Sequence, residues 1–319
     1  MRYKKQVLFE KIGSKGQKKI SSSTIGIVGL GATGSNSANL LLRSGVKKLV
    51  IIDRDVLELD NLQRQTLYEE KDVNKPKALC AKDHLSKINS KVEIKAIVDD
   101  VNFSNISDFL KGCDIVLDCT DNFETRFLLN DYCNKEKIPF VYSGVIGDRG
   151  AVMFIYGSPC LRCVFLEPEG LLETCDTFGV LNSAVSMVSA LQVNLAIRHI
   201  IGEKIKSELM YVDLWDNKIE KLSVSKRKDC ICCQSRNFEY LKGKKSSNVI
   251  KLCGQGVYHI SGKPFDLDAL FRRLSRIGNT KKSEGVIVFE GDILFSDGRA
   301  IIKAKDQKSA KAKYNKYFS

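Results

Sequence analysis

Residues 24–53 read TIGIVGLGATGSNSANLLLRSGVKKLVIID. They give the clearest indication of the fold of this 319-residue chain. A β-branched strand leads into a glycine turn, and an amphipathic helix is predicted over Ala32–Ser44, where Gly45 stops it. A second buried strand follows and ends at Asp53, so the stretch is a βαβ unit. Further strands and helices alternate downstream. This pattern predicts a Rossmann-like, doubly wound α/β fold whose mostly parallel sheet has helices on both faces and ligands at the carboxyl ends of its strands.

The remaining elements follow from periodicity and from the positions of proline and glycine. Helices are predicted over 76–88, 123–135 and 182–201, and strands over 92–98, 113–120, 139–143, 150–157, 209–214 and 219–224. Residues 158–178, rich in Cys, Pro and Gly, are predicted to form an irregular crossover loop.

Two domains are expected, since roughly 150 residues make one domain. Residues 1–240 form the α/β domain, LKGKKSS over 241–247 has linker composition, and residues 248–319 form a small α+β domain. That domain is basic: residues 240–319 hold 17 Lys and Arg against 7 Asp and Glu, in a chain of net charge +13. Such a segment attracts acidic protein surfaces, RNA or phosphate-rich ligands, or is simply a solvated face.

Composition excludes several classes. A chain with 43% hydrophobic and 28% charged residues is neither disordered nor collagen-like. The apolar stretch over 179–202 is interrupted by polar residues, which argues against a membrane span, and the N-terminus lacks a signal-peptide core, so a cytoplasmic protein is expected. With three histidines, chemistry based on a histidine base is not expected. Eleven cysteines in a cytosolic chain indicate metal or chemistry before disulfides.

Gly29, Gly31 and Gly34 form a GxGxxG fingerprint, and Asp53 ends the next strand. Glycines let a phosphate approach the backbone at a helix N-terminus, and the carboxylate can accept a ribose hydroxyl. The fingerprint alone predicts an adenosine-containing ligand. A dehydrogenase is its ordinary interpretation, and a tight turn without a ligand is the alternative.

The residues after Asp53 favour a different reaction. Asn61 and Arg64 lie in DRDVLELDNLQRQTL over 53–67, and Lys77 follows in NKPKA. Hydride transfer needs no such cluster of cations, whereas displacement at a phosphoryl centre needs charge neutralised along the polyphosphate.

Asp121 and Asn122 follow the strand CDIVLDCT. A carboxylate at this strand end can hold Mg²⁺ against phosphates. Either residue is also a suitable N-cap for the helix that starts at Phe123, and the two roles are compatible.

Two CxxC pairs, Cys160 with Cys163 and Cys230 with Cys233, predict a closed tetrahedral zinc site that clips the crossover loop to the chain near residue 230. Cys232 leaves the register of the second pair open, although geometry favours CxxC. Cys175 lies in the crossover loop and is either a nucleophile or sulfur carrier, or an inert thiol.

Taken together, GLGATG, NLQRQ, NKPKA, LDCTDN, the two CxxC pairs and the TC dipeptide resemble the ThiF/MoeB/HesA group of ubiquitin-activating-enzyme-like adenylyltransferases, in the family's order over residues 2–235. The tail, with FSDGRAIIKA, is similar to the C-terminal extension of some members and not to a rhodanese domain.

The resemblance implies ATP-dependent adenylylation of the C-terminal glycine of a ubiquitin-like β-grasp protein ending in Gly-Gly, such as a ThiS/MoaD-like sulfur carrier. It assigns Gly31 to the nucleotide, Asp53 to the ribose, Asn61, Arg64 and Lys77 to the phosphates, and Asp121 to Mg²⁺. The four CxxC cysteines match zinc ligands, and Cys175 matches the crossover cysteine, which forms a covalent link in some relatives. Where the family has RYxRQ this chain has RYKKQ, so Lys5 stands where a partner subunit donates an arginine, and a homodimer is expected.

Two other functions remain as alternatives: a non-catalytic, zinc-stapled nucleotide-binding scaffold and, less favoured, an NAD-dependent oxidoreductase. For the leading hypothesis the basic domain is expected to dock an acidic β-grasp protein rather than nucleic acid, and a sulfur donor protein is a further candidate partner. Thiamine, molybdopterin and tRNA thiolation, or transfer to a lysine, all remain open as the fate of the activated carboxylate.

Overall fold

A computed structural model describes residues 2–166, 178–245, 249–251, 256–260, 262–283 and 285–318. Up to residue 223 it contains an eight-stranded sheet and its helices. The strands are β1 Thr24–Val28, β2 Lys48–Ile52, β3 Glu93–Ile97, β4 Ile115–Asp118, β5 Phe140–Ile146, β6 Arg149–Ile155, β7 Glu208–Asp213 and β8 Lys218–Ser223. The helices are α1 Lys4–Leu8, α2 Gly13–Ile20, α3 Ala32–Ser44, α4 Lys77–Ile88, α5 Ile106–Leu110, α6 Phe123–Glu136, α7 Leu161–Val164 and α8 Asn182–Ile201.

The strand order is β3-β2-β1-β4-β5-β6-β7-β8. Strands β3 to β5 along this order pair in parallel, and β6, β7 and β8 extend the sheet in antiparallel fashion. The chain leaves β1 toward β2 and β3 and later returns to β4 on the other side of β1. This reversal opens a crevice at the carboxyl ends of β1 and β4, where open α/β sheets bind ligands. The predicted α/β fold with a mostly parallel sheet is confirmed.

Glycine determines where α3 stops. Gly45 adopts the left-handed conformation, with φ of 82°, and its N–H donates to the carbonyl of Leu42. A side chain at this position would meet the ring of Tyr3, so both backbone conformation and space require glycine. The predicted helix Ala32–Ser44 has these bounds in the structure.

The long helix α8 is apolar enough to cross a membrane by length and composition. It packs instead against α3, β5 and β6. Gln192 in its middle is fully buried and donates hydrogen bonds to the carbonyls of Asp118, at 2.8 Å, and Val141, at 3.0 Å. The helix is therefore a core element that spans the back of the sheet.

The second sheet is antiparallel, in the order β11-β12-β13-β14-β10-β9. Its elements are β9 Val249–Lys251, β10 Val257–Ile260, α9 Leu267–Leu274, β11 Thr280–Ser283, β12 Val286–Phe289, β13 Asp292–Phe295, β14 Ala300–Lys303 and α10 Gln307–Phe318. Periodicity predicts strands near 256–260, 286–290 and 293–304, the last broken at Asp297 and Gly298, together with a helix over 267–277 and a closing helix to Tyr317. It does not predict β9 and β11. Both are short, and β11 reads TKKS, which has no apolar alternation to indicate a strand.

Candidate active site

The candidate site lies where β1, β2 and β4 end. Gly29 and Gly31 lie in the loop after β1, and Gly34 lies in the first turn of α3. Asp53 directly follows β2, and Asp121 follows β4. Parallel pairing brings these ends together at one edge of the sheet, and Lys77 reaches the same place from the start of α4. The structure therefore brings the fingerprint glycines, Asp53, Lys77 and Asp121 to one edge of the sheet.

The three glycines have different reasons to lack a side chain. Gly29 has φ of 88°, and a Cβ there would lie 2.5 Å from the carbonyl oxygen of Cys119. A Cβ on Gly34 would lie 1.9 Å from the carbonyl oxygen of Gly29. At Gly31 the nearest atom is Gln65 Nε2, at 3.8 Å. Packing thus explains Gly29 and Gly34, whereas Gly31 borders open space at the N-terminus of α3, where an anion binds favourably.

Asp53 is held in position by the glycine loop itself. Its Oδ2 accepts the Leu30 N–H at 2.5 Å, and its Oδ1 accepts the Asp55 N–H at 2.7 Å. Burial raises the pKa of Asp53 to about 6, against the opposing effect of Lys77. A carboxylate fixed beside the loop is suited to accept a ribose hydroxyl, and that role of Asp53 stays a prediction.

Lys77 is a buried cation among carboxylates. Its Nζ lies 3.5 Å from Asp55 Oδ2, and only 7% of the residue is exposed. Burial disfavours its charged form, but Asp55, Asp53 and Asp121 outweigh burial and raise the pKa of Lys77. The ammonium group therefore stays charged at the mouth of the glycine loop.

Asn61 and Arg64 lie in the 3₁₀ turn Leu59–Gln63 and just after it. Asn61 Oδ1 accepts the Glu58 N–H at 3.3 Å, and Asn61 Nδ2 donates to Asp60 Oδ1 at 2.9 Å. Arg64 Nη1 donates to the carbonyl of Asp60 at 2.9 Å. Without ligand, both side chains thus stabilise the turn that carries them.

Asp121 and Asn122, which follow β4, have different roles. Asn122 is the N-cap of α6, since its side chain accepts the Thr125 N–H at 2.9 Å. Asp121 is exposed, and its charge acts on Lys77 and on Arg54. The capping role therefore belongs to Asn122, and the carboxylate of Asp121 faces solvent near the buried cation.

The four cysteines of the CxxC pairs come together, with all sulfur atoms within 4.8 Å of one another. Cys160 and Cys230 are 3.7 Å apart, and Cys163 and Cys233 are 3.5 Å apart. Zinc at about 2.3 Å from four tetrahedral thiolates places the sulfurs about 3.8 Å apart, so the cluster fits zinc. Cys232 Sγ accepts a hydrogen bond from Asn130 at 3.2 Å instead.

Cys175 lies outside the described residues. A second predicted residue, Lys5, lies away from this edge. Lys5 is exposed on α1, whose Gln6 donates to the carbonyl of Ser44 at the far end of α3 from Gly31. A 13-residue helix rises about 20 Å, so Lys5 lies far from the glycine loop of its own chain.

Sequence reasoning missed two arginines. Arg54 pairs with Asp100 at 2.7 Å and lies 3.7 Å from Asp55; burial opposes its charge, but these carboxylates raise its pKa. Arg126 donates to the carbonyl of Thr120 at 2.7 Å and lies over the rings of Phe123 and Tyr142. Arg54 stands inside the quoted motif between two aspartates, which is the one sequence signal that could have indicated it.

Comparison with known proteins identifies the group to which this site belongs. The ThiF family model matches residues 3–233. The chain belongs to the ThiF family. The sulfur carrier protein ThiS adenylyltransferase of Bacillus subtilis is 37% identical over 99% of this chain and 98% of its own length. The Escherichia coli ThiS adenylyltransferase is 31% identical over 74% of this chain and 96% of its own length.

Solved structures agree on the fold. Escherichia coli MccB, crystallised with MccA-N7isoASN, superimposes with a TM-score of 0.65 at 21% identity, over 73% of this chain and 74% of that one. The predictions of a ThiF/MoeB-like family and of an adenylyltransferase are confirmed, and ATP use follows from that class. The oxidoreductase alternative receives no support. The family match ends at residue 233, so the second sheet lies outside it.

Proposed function

We propose that this protein uses ATP to adenylate the C-terminal glycine carboxylate of a ubiquitin-like sulfur carrier protein that ends in Gly-Gly, releasing pyrophosphate. The observation that carries the proposal is the buried Lys77 ammonium, 3.5 Å from Asp55 and close to Asp53, whose carboxylate accepts the Leu30 N–H in the loop after β1. Carboxylates at Asp53 and Asp55 keep that cation charged before any ligand arrives. A buried, preorganised positive charge stabilises negative charge that develops during phosphoryl displacement.

The chemistry needs no general base. A C-terminal carboxylate is ionised at neutral pH, so one of its oxygens can attack the α-phosphorus of ATP directly. The new bond joins that oxygen to phosphorus, and the bond from the α-phosphorus to the pyrophosphate oxygen breaks. Negative charge grows on the leaving pyrophosphate, where Lys77 and Arg64 neutralise it. This economy accords with a chain that has only three histidines.

Asp121 is our candidate for the Mg²⁺ ligand. An exposed carboxylate is the hard oxygen donor that Mg²⁺ prefers, and Asp121 already acts electrostatically on Lys77. Bound Mg²⁺ would neutralise phosphate charge. Asp53 binds the ribose, and the N-terminus of α3 at Gly31 binds phosphate.

Zinc bound by the four clustered cysteines is structural in this proposal. Four thiolates fill a tetrahedral shell, which leaves no position for substrate. Asn130 supports the site, because its Nδ2 lies 3.8 Å from Cys160 Sγ and its Oδ1 accepts the Leu161 N–H at 2.9 Å. Zinc then clips the chain after Pro159 to the segment around residue 230.

A homodimer completes the proposal. Lys5 is too far from its own glycine loop to serve it, so its charge is useful only at the site of a second chain. Leu8 and Phe9, on and after the same short helix, are 67% and 55% exposed, which gives this segment an apolar surface for a partner. The cytoplasmic location also remains a prediction.

The test is pyrophosphate exchange into ATP with the purified protein and a candidate carrier. Exchange should require the carrier and Mg²⁺, and it should disappear when the carrier lacks its terminal Gly-Gly. A protein that binds ATP but shows no exchange with any carrier encoded by its genome would instead be the zinc-stapled scaffold. Mass spectrometry of the adenylated carrier then separates thiamine, molybdopterin, tRNA-thiolation and lysine-conjugation routes by the identity of the carrier.

A further inference from the structure

The second sheet packs directly against the segment that carries the candidate active site. Val56, three residues after Asp53, is 4% exposed and is buried in a cluster with Val286, Ile293, Phe295 and Ile301. All four partners belong to strands of the second sheet. The side chain of Val56 is thus covered by a domain that lies outside the family match.

Val56 belongs to a short backbone pairing between residues 55–57 and residues 75–77. Its backbone bridges to Pro76, the residue before Lys77. Beside that bridge, the Lys77 N–H donates to the Asp55 carbonyl at 2.9 Å and the Leu57 N–H donates to the Lys75 carbonyl at 2.9 Å. Packing of the second sheet against Val56 therefore holds in place the backbone that carries Asp55 and Lys77.

Arg299, at the end of the loop between β13 and β14, makes a second contact with the same edge. Its Nη2 donates to the carbonyl of Val98 at 2.6 Å, and its Nε lies 3.4 Å from Asp99 Oδ1. Its guanidinium group lies over the ring of Phe295, 4.6 Å from the centroid, and pairs with Asp297. The side chain is only 7% exposed.

A series of neighbouring charged residues connects Arg299 with the candidate active site. Asp99 is followed by Asp100, which pairs with Arg54 at 2.7 Å. Arg54 lies 3.7 Å from Asp55, and Asp55 lies 3.5 Å from Lys77. The Asp53 N–H donates to the carbonyl of Ile97, so the end of β3 also holds Asp53, whose carboxylate is proposed to bind the ribose.

We infer that the C-terminal domain positions the nucleotide site, with Arg299 as the positioning residue that holds the end of β3 and, through it, Asp53 and Arg54. The inference rests on the proposed function, because the nucleotide is taken to bind at Gly31 and Asp53. The basic domain then serves the enzyme's own site, which is a different role from docking an acidic carrier. Arg299 touches neither ATP nor the carrier in this scheme.

The experiment compares full-length Arg299→Ala, Arg299→Lys and Asp99→Ala with wild type. The control is Arg276→Ala, which removes the same charge from an exposed position of the same domain. Calorimetry measures Kd for ATP and for adenosine. Positioning predicts that Arg299→Ala weakens both ligands about tenfold, because Asp53 binds the ribose that both contain, and that Arg299→Lys recovers part of the loss. The double variant Arg299→Ala/Asp99→Ala should bind no more weakly than Arg299→Ala alone, since Arg299→Ala already breaks the contact with Asp99.

Because adenosine carries no phosphate, its Kd reports on the position of the ribose site and not on electrostatic attraction of phosphates by the basic domain. Weakened ATP with unchanged adenosine, or an equal loss in Arg276→Ala, would overturn the inference. If Arg299→Ala does not fold, Asp99→Ala carries the test from the other side of the contact, and unchanged adenosine affinity there refutes positioning. Wild-type protein that binds no ATP would refute the proposed function itself, which is a separate result.

Discussion

Two groups of ionisable side chains in this protein, the cysteine cluster and the charged cluster around Lys77, differ in how their members are arranged. In the cysteine cluster four equivalent ligands converge, which is a closed arrangement suited to one small cation. At the edge of β1, β2 and β4, unlike charges meet instead, and Gly31 leaves space beside them. The first arrangement is complete once a metal binds, whereas the second is complete only with a polyanionic substrate. We therefore expect the cysteine cluster to stabilise the fold and the charged cluster around Lys77 to take part in the reaction.

The largest effect expected from this contrast is on catalysis. Lys77→Met removes the buried ammonium while keeping the length of the side chain. Because one preorganised group of this kind contributes about 10²–10³-fold, carrier-dependent pyrophosphate exchange should fall by about that factor. Lys75→Met is the control, since Lys75 is exposed two residues earlier. Exchange within threefold of wild type in the Lys77 variant would mean that the charged cluster around Lys77 is not the reactive one.

The second effect is on stability and tests the cysteine cluster. Cys230→Ser should lose the zinc proposed for this cluster and lower Tm by about 10 °C, at roughly 2–4 °C per kcal/mol for a domain of this size. Cys232→Ser is the matched control: Cys232 is fully buried beside the cluster and is hydrogen-bonded by Asn130, and this variant should keep its zinc. Elemental analysis and thermal melting measure both. Loss of zinc in the Cys232 variant alone would reverse the assigned register.

The second and third glycines of the fingerprint, Gly31 and Gly34, separate a binding role from a packing role. Gly34→Ala places a methyl group 1.9 Å from the Gly29 carbonyl and should cost about 1–3 kcal/mol, seen as a lowered Tm. Gly31→Ala meets its nearest atom at 3.8 Å and should leave Tm within a few degrees. It should nevertheless weaken ATP about tenfold by filling the space for phosphate. A Gly31 variant that melts early yet binds ATP normally would show that Gly31, too, is a packing residue.

The difference between the clusters also explains what the sequence could predict. The bounds of α3 and α8 match expectation because periodic apolar residues between glycines define them locally. The glycine loop, Asp53, Lys77 and the cysteines could be found because each lies in a short motif at a strand end. Arg54 could not be assigned, since its partner Asp100 is 46 residues away. Arg299 was missed for the same reason, as its contacts with Val98 and Asp99 cross about two hundred residues.

Lys5 and Asn61 mark a different limit. In one chain Asn61 hydrogen-bonds within its own turn and Lys5 lies at the opposite end of α3 from Gly31, so the phosphate contact of Asn61 and the contact of Lys5 with a second chain both stay predictions. Motif position alone cannot tell whether a side chain is engaged locally or faces a ligand. That distinction depends on tertiary geometry.

The smallest effect concerns pH and shows what the charged cluster around Lys77 costs the fold. Burial raises the pKa of Asp53 to about 6, so the ionised form destabilises the folded state at pH 7, and this cost falls as the pH drops through 6. Ribose binding requires the carboxylate and should change in the opposite direction. Kd for adenosine, which does not titrate in this range, should rise about fourfold between pH 7.5 and pH 5.5. Asp53→Asn should bind adenosine weakly at every pH, with no such slope. A slope that persists in Asp53→Asn would assign the titration to another carboxyl, with Asp118 first, because burial raises its pKa to about 6 as well.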